Sequence, residues 1–358
     1  MRIGIVTFHA PYNFGSALQA FALQSLLADM GHDARIIDYL SADQRQYELL
    51  NPLHPRHCVR ILHNYGALKR RAKSFEQFSQ RYFRLTEKRY GVRTESRLTE
   101  LTAQFDCFIC GSDQIWNLDC THGVVRPFFL SFAGDKRRIA YAPSLAHTSF
   151  KPENFDKKLV SELLSKFDSL SVREEETVTL FQPLVDKRID VVLDPTLLLN
   201  ADDYEEMALE PIVDEGYIFM YLLRSCPELI KSTISMAQAS GMKVVYVSER
   251  NLLIPNSVNL FGVGPEGFVS LIAHAQTILT NSFHATVFSV LFHKPFRAFA
   301  TDESGARMRD LLGNLGLSHR CVDRACSDAI TGANWPEVDK RLNGLREHSW
   351  AYLRKALA

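Results

Sequence analysis

Short apolar runs rich in valine and isoleucine alternate along this chain with stretches of helical period. The alternation constrains the fold more than any other feature, because strands separated by helices pair in parallel and need helices to cover their sheet. The pattern predicts an α/β protein with mainly parallel sheets. The predicted strands are 3–8, 34–39, 105–110, 138–142, 169–172 and 191–193 in the first half, and 217–222, 243–247, 277–280 and 296–300 in the second.

The chain has 358 residues, roughly twice a typical domain, which predicts two lobes. A polar stretch at 205–215 separates the two sets of strands, so we place the N-terminal lobe at 1–210 and the C-terminal lobe at 211–333. Residues 41–99 break the alternation and predict inserted helices. The apolar spacing of residues 334–358 predicts a helix that packs back across the lobes.

The overall charge excludes one class of partner. Lys plus Arg (41) balance Asp plus Glu (41), which argues against nucleic acid, since such proteins show a broad basic surface. The basic stretch from Arg56 to Arg84 is interpreted as a solvated helical face or as a surface that meets anionic lipid headgroups or an acidic glycan.

The chain starts without a secretory signal and contains no uninterrupted apolar run of about 18 residues, so we expect a cytoplasmic protein. Seven cysteines are too sparse for a disulfide framework. Cys107 and Cys110 are formally a CxxC pair, but positions three apart in a strand point to opposite faces. No His, Cys or carboxylate cluster has metal-ligand spacing, and we predict no metal and no cofactor.

A glycine turn follows the first predicted strand. The chain runs through Asn13, Gly15 and Ser16 into a helix predicted over 14–30. Parallel sheets bind ligands beyond strand ends, and helix N–H groups beside a glycine can hold an anion. The alternative is a plain helix cap.

Strand 105–110 opens into a second polar turn that contains Ser112, Asp113 and Gln114. Asp113 suits a base and Gln114 can hold a sugar hydroxyl, whereas the alternative makes both of them turn and cap residues.

Two later strands each deliver a charged group, Arg173 and Asp194. An arginine in that position can grip a phosphate or carboxylate with two parallel hydrogen bonds. The competing interpretation is a structural ion pair with a neighbouring carboxylate.

The second half places Ser282 and His284 where strand 277–280 meets a helix start. The helix dipole attracts anions there, and a histidine can donate to phosphate or transfer a proton near neutral pH. Glu266, at the start of another predicted helix, can hold a ribose or sugar hydroxyl or simply cap the helix.

Six motifs in order resemble the polysaccharide pyruvyl transferase family over residues 1 to about 320. They are Asn13-Phe-Gly-Ser-Ala-Leu-Gln-Ala-Phe-Ala-Leu-Gln24, Gly111-Ser-Asp-Gln-Ile-Trp-Asn117, Ser171-Val-Arg-Glu174, Leu193-Asp-Pro-Thr196, Gly264-Pro-Glu-Gly-Phe268 and Thr280-Asn-Ser-Phe-His-Ala285. The resemblance implies two Rossmann-like lobes of the glycosyltransferase B (GT-B) fold. It also implies phosphoenolpyruvate as donor and a bacterial surface glycan, or its lipid-linked precursor, as acceptor.

The resemblance further implies roles for residues. Arg173 and His284 become the best donor-site candidates, with Arg307 as a third anionic contact and Ser282 and Glu266 beside them. Its acceptor side takes Asp113 as well as Asn13, Gly15, Ser16, Ser112 and Gln114. His284 is then the acid or the phosphate partner, and Asp194 or Asp113 is the base for a sugar hydroxyl.

The sequence departs from the family pattern at two places. Residues 141–147 replace a Ser-Phe-Gly type ending after the Tyr-Ala strand, and Ala285 replaces the usual glycine after His284. His147, in the first of them, is interpreted as a substrate contact or, preferably, as a surface loop residue.

Two other functions stay open. One is a GT-B glycosyltransferase with a nucleotide-sugar donor, in which Glu266 contacts ribose and His284 the diphosphate. The other is a non-catalytic glycan-binding protein, which has less need of a proton-transfer group.

Overall fold

The computed structural model describes residues 1–41, 55–145, 156–214, 216–300, 305–326 and 328–358, and only the backbone of 55–64. Its strands are β1 (Arg2–Val6), β2 (Asp33–Ile36), β3 (Tyr39–Leu40), β4 (Tyr90–Gly91), β5 (Cys107–Cys110), β6 (Arg137–Ala140), β7 (Ser169–Val172), β8 (Ile189–Val191), β9 (Tyr217–Tyr221), β10 (Lys243–Val247), β11 (Ser257–Asn259), β12 (Thr277–Thr280), β13 (Phe296–Phe299) and β14 (Cys321–Val322). Its α-helices are α1 (Phe14–Asp29), α2 (Pro55–Tyr82), α3 (Lys157–Leu164), α4 (Glu175–Phe181), α5 (Ala201–Glu205), α6 (Pro227–Ser240), α7 (Pro265–Ala273), α8 (Phe283–Leu291), α9 (Gly305–Asn314) and α10 (Trp335–Leu357).

The chain divides into two compact units. The first comprises residues 1–51, 79–199 and 344–358. Its six-stranded sheet has the order β2-β1-β5-β6-β7-β8, and every pairing in it is parallel. The chain leaves β1 toward β2 on one side and continues from β5 on the other. The sheet therefore has its topological switch point between β1 and β5, the place where open α/β sheets bind ligands.

Helix α1 begins at this switch point. Asn13 is its N-cap, and the Asn13 side chain accepts a hydrogen bond from the backbone N–H of Ser16 at 3.2 Å. The helix ends before Gly31, whose φ of +83° lies in the left-handed region that favours glycine. Most of its side chains are buried, so α1 is a central element and the turn before it is held firmly.

Aromatic packing supports the turn after β5. Trp116 is fully buried and stacks on Phe129 with a centroid separation of 5.2 Å, while Phe167 meets it edge-on. The indole N–H of Trp116 donates to the Phe128 carbonyl at 3.0 Å. A buried tryptophan whose N–H has a partner fixes the segment that bears it, and this segment is the polar turn that begins at Gly111.

The second unit comprises residues 52–78 and 200–343. Its parallel sheet has the order β11-β10-β9-β12-β13-β14, which is the Rossmann order 3-2-1-4-5-6. The switch point lies between β9 and β12. Phe268 and Phe288 pack edge-to-face in the layer of helices over this sheet.

The predicted α/β class with mainly parallel sheets is confirmed. Three predicted strands coincide with β7, β10 and β12. The predicted strand 34–39 is wrong in its extent, because the chain turns after Ile36, where the N–H of Tyr39 bonds to the Ile37 carbonyl at 2.7 Å. The predicted strand 3–8 is likewise too long, because β1 ends at Val6. Beyond it the Thr7 hydroxyl donates to the Ser112 carbonyl at 3.1 Å.

The compact units are not contiguous in sequence. Residues 52–78, within the predicted insertion, belong to the second unit. After β8 the boundary between the first and the second unit falls between residues 199 and 200. Contacts of α2 account for the first point: the Ser74 hydroxyl donates to the Gly262 carbonyl at 3.1 Å, and Arg71 donates to the Phe261 carbonyl at 3.2 Å. Helical periodicity does not reveal which sheet a helix covers.

Two further points bear on the predictions. Residues 42–54, in the predicted insertion, lie outside the described residues. Among the helices that are described, none combines the length and the apolar character needed to cross a bilayer.

Candidate functional site

Two strand ends meet at the switch point of the first unit. The Ser16 hydroxyl, on the first turn of α1, donates to Oδ2 of Asp113 at 2.6 Å. Asp113 follows β5 and is 7% exposed. The predicted acceptor-side residues of the two turns, 13–16 and 112–114, are thus brought together by a direct contact between their side chains.

Gly111 allows the β5 turn to approach the neighbouring strand. Its φ is +122°, and a Cβ at this position would lie 1.9 Å from the Tyr141 carbonyl oxygen, just beyond β6. No other residue fits so close to a backbone carbonyl. The glycine therefore sets the path by which Ser112 and Asp113 enter the site.

Arg173 lies at the centre of a buried charge cluster. It follows β7, and its side chain is 3% exposed. Its Nη1 donates to Oδ2 of Asp194, its Nη2 lies 4.0 Å from Asp113 Oδ1, and its Nε lies 3.9 Å from Glu174 Oε2. Burial opposes the charged form, but the three carboxylates outweigh it and raise the pKa of Arg173 above its usual value. We call Asp113, Arg173, Glu174 and Asp194 the charge cluster.

Asp194 is held by donors on both carboxylate oxygens. Oδ1 accepts hydrogen bonds from the N–H of Thr196 at 3.0 Å and from its hydroxyl at 2.6 Å. Oδ2 accepts from Arg173, and the Ser112 hydroxyl lies 3.0 Å from it. Asp194 is 1% exposed, so its carboxylate is buried and held in a fixed position by these donors. The carboxylate of Asp113 accepts one hydrogen bond in the described part of the chain, from Ser16, and is the more accessible of the two carboxylates.

Two buried residues of this region were missed by the sequence reasoning as parts of a site. The Gln19 amide nitrogen lies within 3.0 Å of Thr7 Oγ1 and of the carbonyls of Phe8 and Ser16, so it ties β1 to α1. Glu174 accepts hydrogen bonds from the N–H of Leu145 and the hydroxyl of Thr177. A glutamine on the buried side of a largely apolar helix was the available signal for Gln19.

Gln114 has a local role in the turn. Its Oε1 accepts a hydrogen bond from the Asn117 amide at 3.0 Å. Gln114 thus acts as a turn residue, one of the two roles predicted for it. Its amide is half-buried, and it directly follows Asp113 in the sequence.

The switch point of the second unit is tied by Asn281, which follows β12. Its Oδ1 accepts from the N–H of Leu223 and its Nδ2 donates to the Arg224 carbonyl, both at 2.8 Å. The Thr280 hydroxyl donates to the Tyr221 carbonyl at 2.8 Å. These bonds join the carboxyl ends of β9 and β12, so the backbone that leads into α8 has a defined position.

Ser282, His284 and Arg307 lie around the N-terminus of α8. Ser282 is the N-cap and accepts from the Ala285 N–H at 3.4 Å. His284 is 8% exposed and Arg307 6% exposed. Both flank Phe283: the guanidinium carbon of Arg307 is 5.4 Å from its ring centroid, and the imidazole centroid of His284 is 5.3 Å from it. A helix N-terminus with an imidazole and a guanidinium beside it suits an anionic group.

Glu266 occupies the first turn of α7, where its charge is favourable to the helix dipole. It is half-buried, so both roles weighed for it, a hydroxyl contact and a helix-start residue, are compatible with its position.

The structure divides the predicted site residues between the units. Asn13, Gly15, Ser16, Ser112, Asp113, Gln114, Arg173 and Asp194 lie in the first unit, and Glu266, Ser282, His284 and Arg307 lie in the second. Arg173 and His284, predicted together as donor contacts, therefore belong to different units. His147 lies outside the described residues.

The CxxC pair is unsuited to redox chemistry. Cys107 and Cys110 are free and buried, and burial raises the pKa of Cys107 to about 12 and that of Cys110 well above its usual value. A reactive cysteine needs the opposite shift. Among the described residues, no group of three or more His, Cys, Asp or Glu side chains is placed to hold a metal ion.

Comparison with solved structures defines the class of fold. The chain is similar to Anabaena Alr3699/HepE in complex with UDP-glucose (TM-score 0.53, 11% identity, 99% of this chain and 100% of that chain). It is also similar to the UDP-GlcNAc 2-epimerase of Neisseria meningitidis bound to UDP-GlcNAc (TM-score 0.52, 14% identity, 99% and 94%). At such low identity these matches show the fold alone, and it is the GT-B fold.

The family follows from the sequence match. A family model described as polysaccharide pyruvyl transferase matches residues 13–303, which is most of the chain, and the chain belongs to this family of transferases. A search of the curated proteins finds no match.

Proposed function

We propose that this protein transfers a pyruvyl group from phosphoenolpyruvate to a sugar of a bacterial surface polysaccharide, or of its precursor, and forms a ketal. The observation that carries the proposal is the family match over residues 13–303, which includes both the charge cluster and the His284 region. The residue types at these two places suit the chemistry.

The reaction needs one acid and one base. An acid protonates the methylene carbon of phosphoenolpyruvate, the electron pair of the C=C bond forms the new C–H bond, and the adjacent carbon becomes electrophilic. One sugar hydroxyl adds there and loses its proton. Phosphate then leaves with its bonding electron pair, and a second hydroxyl adds and loses its proton. The products are a ketal and inorganic phosphate, with no oxidant or reductant required.

In the second unit, we assign the donor's anionic groups to the start of α8. Helix N–H groups, Arg307 and His284 together offer hydrogen bonds and positive charge to phosphate or carboxylate. His284 is also the acid candidate, because imidazole exchanges protons near neutral pH. Its position on the first turn of α8, two residues after the N-cap Ser282, supports either role.

In the first unit, we assign the base to Asp113 in preference to Asp194. Asp194 has donors on both oxygens and is paired with Arg173, so taking up a proton would cost it those contacts. Asp113 has fewer contacts and more exposure. In this assignment Arg173 serves mainly to compensate the cluster's carboxylates, and its predicted contact with the donor becomes secondary.

Ligand-dependent thermal stability tests the proposal. A ligand that binds only the native protein raises the melting temperature, and about 100 times its Kd in free ligand adds about 2.7 kcal/mol. We expect phosphoenolpyruvate to raise the melting temperature of the full chain, and His284→Ala to abolish the rise. The matched control is His293→Ala, an exposed histidine past the other end of α8 that contacts Asp339 at 2.8 Å; this variant should keep the rise.

A nucleotide-sugar glycosyltransferase is the second candidate. It is favoured by one observation: similar solved structures contain UDP-glucose and UDP-GlcNAc. Titration with these two nucleotide sugars separates the candidates. Stabilisation by a nucleotide sugar with no response to phosphoenolpyruvate would overturn the pyruvyl-transfer proposal. No response to either donor would contradict both and favour a glycan-binding protein without turnover.

A further inference from the structure

The long helix α2 has a strongly basic composition. Its 28 residues include seven Lys or Arg and a single acidic residue, Glu76, although the chain as a whole has equal numbers of basic and acidic residues. The excess of positive charge is therefore local. Such a concentration on one helix creates a field that acts on an extended anionic partner.

The described part of α2 has two distinct faces. Ala72, Phe75 and Phe78 are buried, and Arg71 is turned inward, with its guanidinium 5.0 Å from the ring centroids of Phe75 and Phe261. The apolar side of the helix is thus buried within the protein, and the second unit uses one of its cations, Arg71. The apolar side of α2 is therefore not available for insertion into a partner, and any binding by this helix must use its outer side.

The outer side presents Tyr65, Lys69 and Lys73, and beside them Arg70, which is exposed although its stem passes close to Gly262. We call these four residues the basic face. All four are exposed, and Tyr65 is 45% exposed. Positions 65, 69 and 73 are four apart and form a row along the helix. Within the described residues, no carboxylate forms an ion pair with Lys69, Arg70 or Lys73, so their charge is available to a partner.

We propose that the basic face binds the surface of a bilayer that contains anionic phospholipids. Three long cationic side chains close together on one side of a helix suit a plane of phosphate headgroups, and the tyrosine in line with Lys69 and Lys73 has the apolar ring and polar tip that suit the interface. Each Lys or Arg near such a surface contributes roughly a fivefold gain in binding. The inference goes beyond the proposed reaction, because it concerns where the protein is positioned and not what it transfers.

Vesicle co-sedimentation of the full chain tests this inference. We expect binding to phosphatidylcholine vesicles that contain about 30% phosphatidylglycerol, little binding to pure phosphatidylcholine, and loss of binding at about 0.5 M salt, where charges are screened. The variant Lys69→Glu/Arg70→Glu/Lys73→Glu should lower the partition coefficient by about a hundredfold or more.

The matched control makes the same change of charge elsewhere. Lys157→Glu/Lys158→Glu/Lys166→Glu alters three exposed lysines of the first unit and should bind nearly as well as the parent protein. Should the first triple variant fail to fold, the milder Lys69→Gln/Lys73→Gln is expected to lose about twentyfold or more.

Three outcomes would overturn the inference. The first is equal binding of the parent protein to neutral and anionic vesicles, and the second is an equal loss of binding in the control triple variant. The third is that Lys69→Glu/Arg70→Glu/Lys73→Glu retains vesicle binding but loses binding to a soluble acidic polysaccharide such as alginate. The last would assign the basic face to an acidic glycan. None of these measurements requires phosphoenolpyruvate or turnover, so the inference and the proposed reaction can fail separately.

Discussion

The two switch points of this protein are built by different physical means. In the first unit, the residues after β5, β7 and β8 form the charge cluster, in which Arg173 faces three carboxylates. In the second unit, the residues after β12 bind backbone groups, through Asn281 and Thr280, and cap α8 through Ser282. One site is organised by compensation of buried charge and the other by satisfaction of backbone hydrogen bonds.

This difference predicts which substitutions lower both stability and activity and which lower activity alone. Removing one member of a buried ion cluster leaves other charges without compensation, which costs more than the pair contributes. Removing a side chain that stands beside an already capped helix leaves the cap intact. Variants in the first unit should therefore lose stability together with activity, and variants at His284 should lose activity alone.

Arg173→Ala should have the largest effect. It removes a cation that lies within 4.0 Å of Asp113, Glu174 and Asp194 at once, and we expect the free energy of unfolding to fall by about 3–5 kcal/mol. Urea denaturation measures this. The control is Arg188→Ala, which truncates an 81% exposed arginine of the same unit paired with Asp190 and should change stability by less than about 0.5 kcal/mol. Equal losses in the two variants would refute the compensation argument.

Gly111→Ala should rank second, with a loss of about 3 kcal/mol. The new methyl group would lie 1.9 Å from the Tyr141 carbonyl oxygen in a backbone with φ of +122°. Gly123→Ala is a close control, because its φ is +119° and no atom lies within 4 Å of the added Cβ. That variant keeps the strain and omits the collision, so it should lose only about 1 kcal/mol. Similar melting temperatures for both would mean that the turn can move aside.

Strand positions were largely predictable, and so was the possibility that Arg173 forms a structural ion pair, whereas the identity of its partner was not. The positions of Arg173 and Asp194 after strands are predictable, because a short apolar run followed by a charged residue can be recognised in the sequence alone. Their mutual ion pair depends on β7 lying next to β8, which a linear pattern does not contain. Gln19 was missed because two of its partners are backbone carbonyls, one just after β1 and one on the first turn of α1. Such contacts leave little trace in composition.

His284→Ala should rank third. If the imidazole transfers a proton or holds the phosphate, turnover should fall by about a hundredfold, while the free energy of unfolding changes by less than about 1 kcal/mol. Phosphate release from phosphoenolpyruvate in the presence of acceptor measures the first, and urea denaturation the second. A stability loss as large as that of Arg173→Ala would erase the contrast between the two sites. His293→Ala, beyond the other end of α8, should leave turnover unchanged.

The smallest effect concerns the acid sensitivity of the first unit. Asp38 is 6% exposed; its Oδ1 lies 3.2 Å from His9 Nε2, and its Oδ2 accepts a hydrogen bond from Arg89 at 2.8 Å. Burial alone would raise the pKa of Asp38, but the contacts with His9 and Arg89 hold it below its usual value. A carboxyl whose pKa is lower in the folded state adds stability above its unfolded pKa of about 4, and that stability is lost as the pH falls through the folded value.

The stability advantage of the parent protein over Asp38→Asn should accordingly be present at about pH 6 and shrink toward about pH 3. Hydrogen exchange resolved by segment should show which unit opens. We expect amides of β1 and β2 to lose protection in acid before those of β9 and β12, because the switch point of the second unit relies on neutral amide and hydroxyl groups that do not titrate there. Simultaneous opening of both sheets, or a constant difference between the proteins across this pH range, would show that buried charge does not set the acid sensitivity of the first unit.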